Sequence, residues 1–305
     1  MFKNVEDRFM ADVIDGKKVA EEIKNEIARE VDILKQNHDK QPGLAVVLVG
    51  EDPASQVYVR MKGRDCEQVG IESFQYTLPE DTSQEELVKL VKELNGRYDV
   101  DGILVQLPLP AHINESLILN TLDPAKDVDG FHPVNVGKLV TGDEDTFYPC
   151  TPYGCQELIN RHVSDLKGKH LVIVGRSNIV GKPMANLMVQ KNKRANCIVT
   201  ICHTAAPDIS YYTRQADILV VAAGRPEVIS SDMVKEGVVV IDVGINRIDD
   251  PVNEGKKKLI GDVRYDDVAR KASAITPVPG GVGPMTRVML LKNTLKAFKQ
   301  HNNIT

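Results

Sequence analysis

Short, uninterrupted apolar runs alternate along this chain with stretches whose apolar residues recur every three or four positions, and that alternation narrows the fold more than any other feature. From Gly16 to about Gln36, Val19, Ala20, Ile23, Ile27, Val31 and Leu34 mark one face of a helix. A strand run at Leu44 to Val49 follows, then a helical pattern from Ser55 to Gln68. A Ser-x-x-Glu capping box opens Ser83 to Leu94, and a second β run, Val100 to Leu107, ends in Gln-Leu-Pro-Leu-Pro. These β runs are apolar at nearly every position, so both sheet faces are expected to be covered. The reading is an α/β protein with mostly parallel strands.

The segment Tyr148 to Gly154 (YPCTPYG) punctuates the chain and leads to a helix at about Cys155 to His162. Strand runs then return at His170 to Val174, Cys197 to Cys202, Ile218 to Ala222 and Val238 to Val243, separated by shorter helices. That spacing is the layout of a Rossmann-type dinucleotide-binding domain. Two domains with a cleft between them are expected: 11–150 with 280–305, to which a last helix at Met285 to Lys299 returns, and 151–279. Residues 1–10 read as a disordered leader.

Composition excludes several classes. A formal net charge of -5 argues against a nucleic-acid surface, which collects Lys and Arg on one face. The only basic triplet, Lys256 to Lys258, sits in DDPVNEGKKK and reads as a solvated hairpin end. The opening MFKNVEDRFM carries both charge signs and no apolar core, unlike a secretory signal. The longest apolar stretch, Ile218 to Ala223, is far short of the roughly 20 residues a bilayer span needs. The five cysteines form no CxxC pair or metal-ligand cluster. They read as buried small residues, no metal is expected, and the cytoplasm is the expected compartment.

The first strand of the second domain empties into Gly175-Arg176-Ser177-Asn178-Ile179-Val180-Gly181-Lys182-Pro183, with a helix expected from about Lys182. This is not GxGxxG, yet it supplies a strand-end glycine, a second glycine for close approach and a helix N-terminus for a phosphate. At the end of the second strand stands Cys202-His203-Thr204, where NAD users commonly carry a carboxylate. With Arg176 nearby, NADP is the expected cofactor, although Asp208 lies only four residues beyond Thr204. His203 is either a cofactor contact or a strand-end residue without a role.

In the first domain Tyr58 and Lys62 share a helix face, and Gln106 stands at the carboxyl end of a parallel strand, where ligands collect in open α/β sheets. Lys126-Asp127-Val128-Asp129-Gly130 adds two carboxylates in a turn. Near the end, TPVPGGVGPMT (276–286) packs three prolines and three glycines into eleven residues, which combines stiffness with bare peptide groups. It is either a wall beside a ligand or an ordinary strand-to-helix connection.

DPASQVYVRMK, VDGILVQLPLP, KDVDGFHP, PCTPYG, GRSNIVGKP, IDVGIN and TPVPGGVGPMT, in this order, resemble the bifunctional methylenetetrahydrofolate dehydrogenase/cyclohydrolase family over nearly the whole chain from Ala11. The resemblance implies NADP-dependent oxidation of 5,10-methylenetetrahydrofolate to the methenyl form and hydrolysis of that to 10-formyltetrahydrofolate. It also implies a homodimer. It places the family's catalytic lysine on Lys62, its tyrosine on Tyr58, the glutamine that contacts the lysine on Gln106, the pterin-binding aspartate on Asp129 and a serine of the same helix on Ser55. In the cofactor domain Arg176 and Ser177 match residues beside the phosphates, Thr204 one near the 2'-phosphate and Ile245 one by the nicotinamide, joined by Gly175, Gly181 and His203. Pro279, Gly280 and Gly281 are then expected to bring bare backbone to the folate. Arg287 stands where many members carry a small apolar residue. Two readings outside this resemblance are a two-domain dehydrogenase of another small substrate and a non-catalytic dinucleotide sensor.

Overall fold

The computed structural model describes residues 10–250 and 255–304, side chain of Ala54 excepted, and the chain divides into two compact units. One holds Ala20–Cys150 with Arg287–Thr305, the other the residues up to Val19 with Thr151–Thr286. The expected leader lies almost wholly outside the described residues.

The first unit is built on a three-stranded parallel sheet in the order Glu72–Leu78, Gly43–Val49, Gly102–Val105. The central strand is buried at all seven positions, as its unbroken apolar run requires. Glu72–Leu78 lies at the edge, and its Phe74, Tyr76 and Leu78 alternate with polar residues and pack on the core, a period-2 signal that the expected strands did not include. The helix Pro53–Val69 starts two residues before the expected Ser55 because Asp52 caps it, its carboxylate accepting from Ser55 N–H at 2.7 Å, with Pro53 in the first turn. The Ser83 capping box forms in both directions on the helix Gln84–Gly96, whose Leu87, Val91 and Leu94 enter the core. Beyond Gly102–Val105, the 126–128 segment lies alongside: Ile103 bridges Asp127, and Ile103 N–H donates to the Lys126 carbonyl at 2.7 Å. The final helix, Val282–His301, anchors the same segment through Asn293, whose amide donates to the Val128 carbonyl at 2.8 Å and to Tyr148 at 3.0 Å.

The second unit carries a six-stranded, all-parallel sheet ordered Asp12–Val13, Ala274–Ile275, Val239–Asp242, Ile218–Val221, His170–Val174, Ile198–Cys202. The four strands His170–Val174, Ile198–Cys202, Ile218–Val221 and Val239–Asp242 lie within a residue of where the apolar pattern puts them. The outer Asp12–Val13 corrects the division expected from sequence, since residues 11–19 group with the cofactor unit. A two-residue strand has too little length to show a pattern, and only its pairing to Ala274–Ile275, with Ile14 N–H donating to the Ile275 carbonyl at 2.9 Å, reveals it. Residues 280–286 group with the same unit. A Cβ on Gly16 would coincide with the Gly281 carbonyl, so the two backbones meet in direct contact. The Lys256–Lys258 triplet enters an antiparallel pair of Asn246–Asp249 with Lys257–Ile260; residues 251–254 at its tip lie outside the described residues.

Gly102 fixes how closely the 126–128 segment can approach the sheet, because an added Cβ would stand 2.8 Å from both Val128 methyls. Gly102→Ala is expected to cost about 1–3 kcal/mol by overpacking. Urea unfolding would show it as a lowered midpoint at unchanged slope.

Candidate active site and dinucleotide site

Lys62 projects from the middle of the helix Pro53–Val69, one turn after Tyr58. Its ammonium donates to Gln106 Oε1 at 3.0 Å, and the Gln106 amide is held the other way by donation to the Leu107 carbonyl at 2.7 Å. Gln106 itself continues the strand, its N–H donating to the Val47 carbonyl at 2.8 Å. Sequence reasoning thus put lysine and glutamine together correctly. Tyr58 is half-buried on the same helix, and among the described residues no hydrogen bond joins it to Lys62.

The two carboxylates of the 126–130 turn do different things. Asp127 is buried and accepts from the N–H groups of Phe131 and His132 at 3.3 and 2.7 Å and from the Asn135 amide at 2.9 Å. It ties the turn to the following helix. Asp129 faces Lys62 and the Cys150 thiol instead. Gly130, at φ 76°, allows the sharp turn just after Asp129, and a Cβ there would meet the backbone of Phe147 and Pro149 at 2.7 Å.

Burial dominates the electrostatics. It pushes the Lys62 ammonium below the usual lysine range, and the Asp129 charge opposes that shift without cancelling it. Burial pushes Asp129 upward, against the attraction of Lys62 and the nearness of the Cys150 thiol, whose Sγ donates to the Val128 carbonyl at 3.5 Å. Cys150, read from sequence as an inert buried residue, belongs to this cluster; its thiol is held well above its ordinary value by burial and by Asp129. The motif PCTPYG contained it, but nothing in its spacing to Lys62 or Asp129 shows their proximity. Ser55 is buried in the first turn of the same helix.

In the other unit the strand His170–Val174 runs into Gly175 at φ 128°, where a Cβ would overlap the Ala222 carbonyl. Gly181 opens the helix Gly181–Met188 one residue before the expected start, and its own Cβ position is taken by the Gly175 carbonyl. The free donors lie before the helix, not in its first turn. Ser177 Oγ accepts from Val180 and Gly181 N–H at 3.1 and 3.3 Å, and the Ser177 carbonyl from Lys182 at 3.1 Å. Among the described residues the N–H groups of Arg176, Ser177, Asn178 and Ile179 make no hydrogen bond, leaving four consecutive donors in an exposed loop. Such a run of donors, with the exposed Arg176 at its start, fits a phosphate.

At the neighbouring strand end His203 Nδ1 accepts from Ala205 N–H at 3.2 Å, so this ring shapes the turn that presents the exposed Thr204. Asp208, the carboxylate that competed with the NADP expectation, is engaged by Ser210 N–H and Oγ at 2.9 and 2.6 Å. Ile245 is exposed, with its Cδ1 near Gly283. Gly281 is buried, and a Cβ there would stand 2.7 Å from the Pro277 carbonyl and Thr276 Cβ, so packing requires this glycine. Pro279 is exposed and Gly280, at φ 113°, half-buried.

Family comparison accounts for both units. Residues 14–129 match the catalytic domain of tetrahydrofolate dehydrogenase/cyclohydrolase, and residues 149–302 match the NAD(P)-binding domain of the same family. The chain belongs to this family. The bifunctional protein FolD of Chlorobium phaeovibrioides is 58% identical over 293 residues, 96% of this chain and 99% of that protein. The crystal structure of the bifunctional FolD dehydrogenase/cyclohydrolase of Campylobacter jejuni is similar with a TM-score of 0.90 at 49% identity, covering 95% of this chain and 99% of that one. The Trypanosoma brucei enzyme, solved with NADP cofactor and an inhibitor, has a TM-score of 0.90 at 40% identity, covering 95% and 98%. The dehydrogenase/cyclohydrolase fold is thus the fold of this chain, an α/β catalytic domain and a parallel-sheet NAD(P)-binding domain.

The division of labour in the 126–130 turn is measurable. Asp127→Asn turns one acceptor into a donor facing N–H groups and is expected to lower stability by about 1–3 kcal/mol. Asp129→Asn is expected to shift the urea midpoint by less, and equal losses would contradict separate roles.

Proposed function

We infer that Lys62, with Gln106 and Asp129 around it, carries the hydrolytic half of a two-step reaction on one folate. The chain is an NADP-dependent methylenetetrahydrofolate dehydrogenase and methenyltetrahydrofolate cyclohydrolase. It acts on 5,10-methylenetetrahydrofolate and yields 10-formyltetrahydrofolate by way of the methenyl form.

When bound, NADP accepts the hydride removed from the methylene carbon. That removal leaves a cation delocalised over two nitrogens, so the protein has no proton to collect at this step; it has only to hold the carbon in place. Hydration differs. Water adds to the methenyl carbon and must lose a proton, and the bond from that carbon to one ring nitrogen then breaks as the nitrogen regains one. A group that accepts and returns a proton at one position serves both events.

Lys62 is that group. An ordinary lysine, with a pKa of about 10.4, is almost wholly protonated at neutral pH. The observation that carries the assignment is a half-buried Lys62 ammonium, held below that range by desolvation, donating to an immobilised Gln106. Gln106 accepts from either protonation state, so it fixes Nζ in place without deciding the charge. Asp129 can accept from a pterin amino group and ring N–H together, and is assigned to recognition. Tyr58 is assigned to the substrate side of Lys62, and Ser55 to folate contact. The exposed Pro279 and half-buried Gly280 are assigned likewise, with the packed Gly281 supporting them.

The residues of the 175–181 turn fit the dinucleotide. The free N–H groups of Arg176 to Ile179 suit its phosphates, Gly175 and Gly181 clear the space, and Ile245 is assigned beside the nicotinamide. Arg176, His203 and Thr204 are assigned to the 2'-phosphate, His203 acting through the turn it forms. A homodimer in the cytoplasm completes the reading. Five unpaired buried cysteines support that compartment, and the half-polar edge strand Glu72–Leu78 supports the dimer, being open to strand addition from a second copy.

Lys62→Met is expected to abolish hydrolysis of methenyltetrahydrofolate, followed by loss of its absorbance. Unchanged turnover would overturn the assignment. Arg176→Ser is expected to raise the KM for NADP about tenfold or more while leaving that for NAD nearly unchanged, as loss of a charge-assisted phosphate contact requires. Parallel losses with both dinucleotides would place Arg176 on the shared phosphates instead.

A further inference from the structure

Asp262 is wholly buried, and its two carboxylate oxygens serve different segments of the cofactor unit. Oδ2 accepts from Ala223 N–H at 2.7 Å and Gly224 N–H at 2.8 Å, just past the end of the strand Ile218–Val221. Oδ1 accepts from the Asn246 side-chain amide at 2.8 Å. On the other side of Ile245, a Cβ on Gly244 would overlap the same carboxyl group, so the Gly244 backbone rests against it. Ile245 is thus flanked by two residues that both lean on Asp262, while its own side chain is exposed.

Asp262 is itself held in place. Its N–H donates to Asp242 Oδ1 at 3.0 Å, and its carbonyl accepts from Ile229 N–H at 3.2 Å. Asp242 Oδ1 also accepts from Gly244 N–H at 2.9 Å. At the far end, Ala222 N–H donates to the Val174 carbonyl at 2.8 Å, and the Ala222 carbonyl lies where a Cβ on Gly175 would stand. Val239–Asp242, Ile218–Val221 and His170–Val174 are neighbours in the sheet. A continuous path of contacts therefore runs from Ile245 through Asp262 to the turn at Gly175, along the strand ends where a parallel sheet binds a dinucleotide.

We propose that Asp262 is a positioning residue for hydride transfer: by holding Asn246 and the Ala223–Gly224 turn on one carboxylate, it fixes where Ile245 stands relative to the phosphate-binding turn and so how the nicotinamide is seated. The inference rests on the assignment of Ile245 beside the nicotinamide and adds the residue that sets its place. A reacting pair is sensitive to small misplacement, so a displaced Ile245 slows the transfer more than it weakens the dinucleotide, which its phosphates still hold. Hydrolysis at Lys62 is not a redox step, needs no dinucleotide and serves as the internal reference.

Asn246→Asp replaces the donor facing Oδ1 with a second acceptor and adds a like charge. Asn246→Asp combined with Asp262→Asn exchanges the roles: the amide at position 262 donates to the carboxylate at position 246, and its oxygen still accepts from Ala223 and Gly224. The test follows NADPH formation in single turnovers of the full-length protein with NADP and methylenetetrahydrofolate at about pH 8, far above the ordinary carboxylate range. Loss of methenyltetrahydrofolate absorbance is followed separately, without dinucleotide.

In Asn246→Asp the transfer rate at saturating NADP is expected to fall about tenfold, with the Kd for NADP raised no more than about threefold and hydrolysis unchanged. The double variant is expected to recover to within about threefold of wild type. A rate that stays low in the double variant, or a loss confined to NADP affinity, overturns the proposal. Equal losses in both activities overturn it too, since they mark a general structural role. Should Asn246→Asp fail to fold, Asn246→Ala removes the same donor without adding charge, and an unchanged transfer rate there overturns the proposal. Ile245→Ala separates this outcome from the assignment beneath it. If that variant leaves transfer untouched, Ile245 is not beside the nicotinamide and the reading on which the proposal rests falls; if it slows transfer while Asn246→Asp does not, only the positioning role of Asp262 falls.

Discussion

An ammonium taken out of water must find compensation or lose its charge, and the site of this protein is arranged around that constraint. Lys62 has one hydrogen-bond acceptor, Gln106, and one carboxylate, Asp129, which is itself pushed toward its neutral form by burial. Two fully ionised partners would keep the proton on the lysine. A pair in which desolvation works against both charges stays responsive to what arrives. A cationic substrate would shift the pair further toward a neutral lysine just where a proton acceptor is needed.

The surrounding fold can be read as what holds that pair in place. The 126–130 turn lies alongside Gly102–Val105 by a bridge from Ile103 to Asp127, is pinned from the final helix by Asn293, and is closed by the three bonds to Asp127. These bonds occupy the Asp127 carboxylate and hold the backbone of the turn, which leaves Asp129 to face the lysine. The same economy appears in the other unit. Asp242 accepts from the N–H groups of Gly244, Asp262 and Val263, and Asp262 from those of Ala223 and Gly224, so two buried carboxylates order the loops that carry Ile245.

Much of this was legible in the sequence, for identifiable reasons. Unbroken apolar runs such as Ile218–Val221 survive as buried central strands because nothing else accommodates them. The Tyr58–Lys62 spacing and the strand-end position of Gln106 were readable from periodicity alone. The alternation of Phe74, Tyr76 and Leu78 with polar residues offers a signal for the edge strand Glu72–Leu78 that the expected strands did not include, whereas the two-residue strand Asp12–Val13 is not readable, since its existence depends on a partner supplied by distant sequence. Cys150 was missed for the same reason: its thiol acquires meaning only through Asp129 and Lys62, which arrive from other elements. The free N–H groups lie in the loop before the helix rather than in its first turn because Ser177, a single hydroxyl, already satisfies the start of the helix.

That last displacement has a physical consequence. A helix N-terminus whose first N–H groups were free would offer a directed partial charge to a phosphate. Here the Ser177 oxygen occupies Val180 and Gly181, and the donors that remain belong to a loop whose shape is set by Gly175 at φ 128° and by the contact of Gly181 with the Gly175 carbonyl. The direction of these free donors is thus set by loop geometry rather than by the helix axis. Both glycines are required by backbone clearance, so a side chain at either position would alter the loop before it touched a ligand.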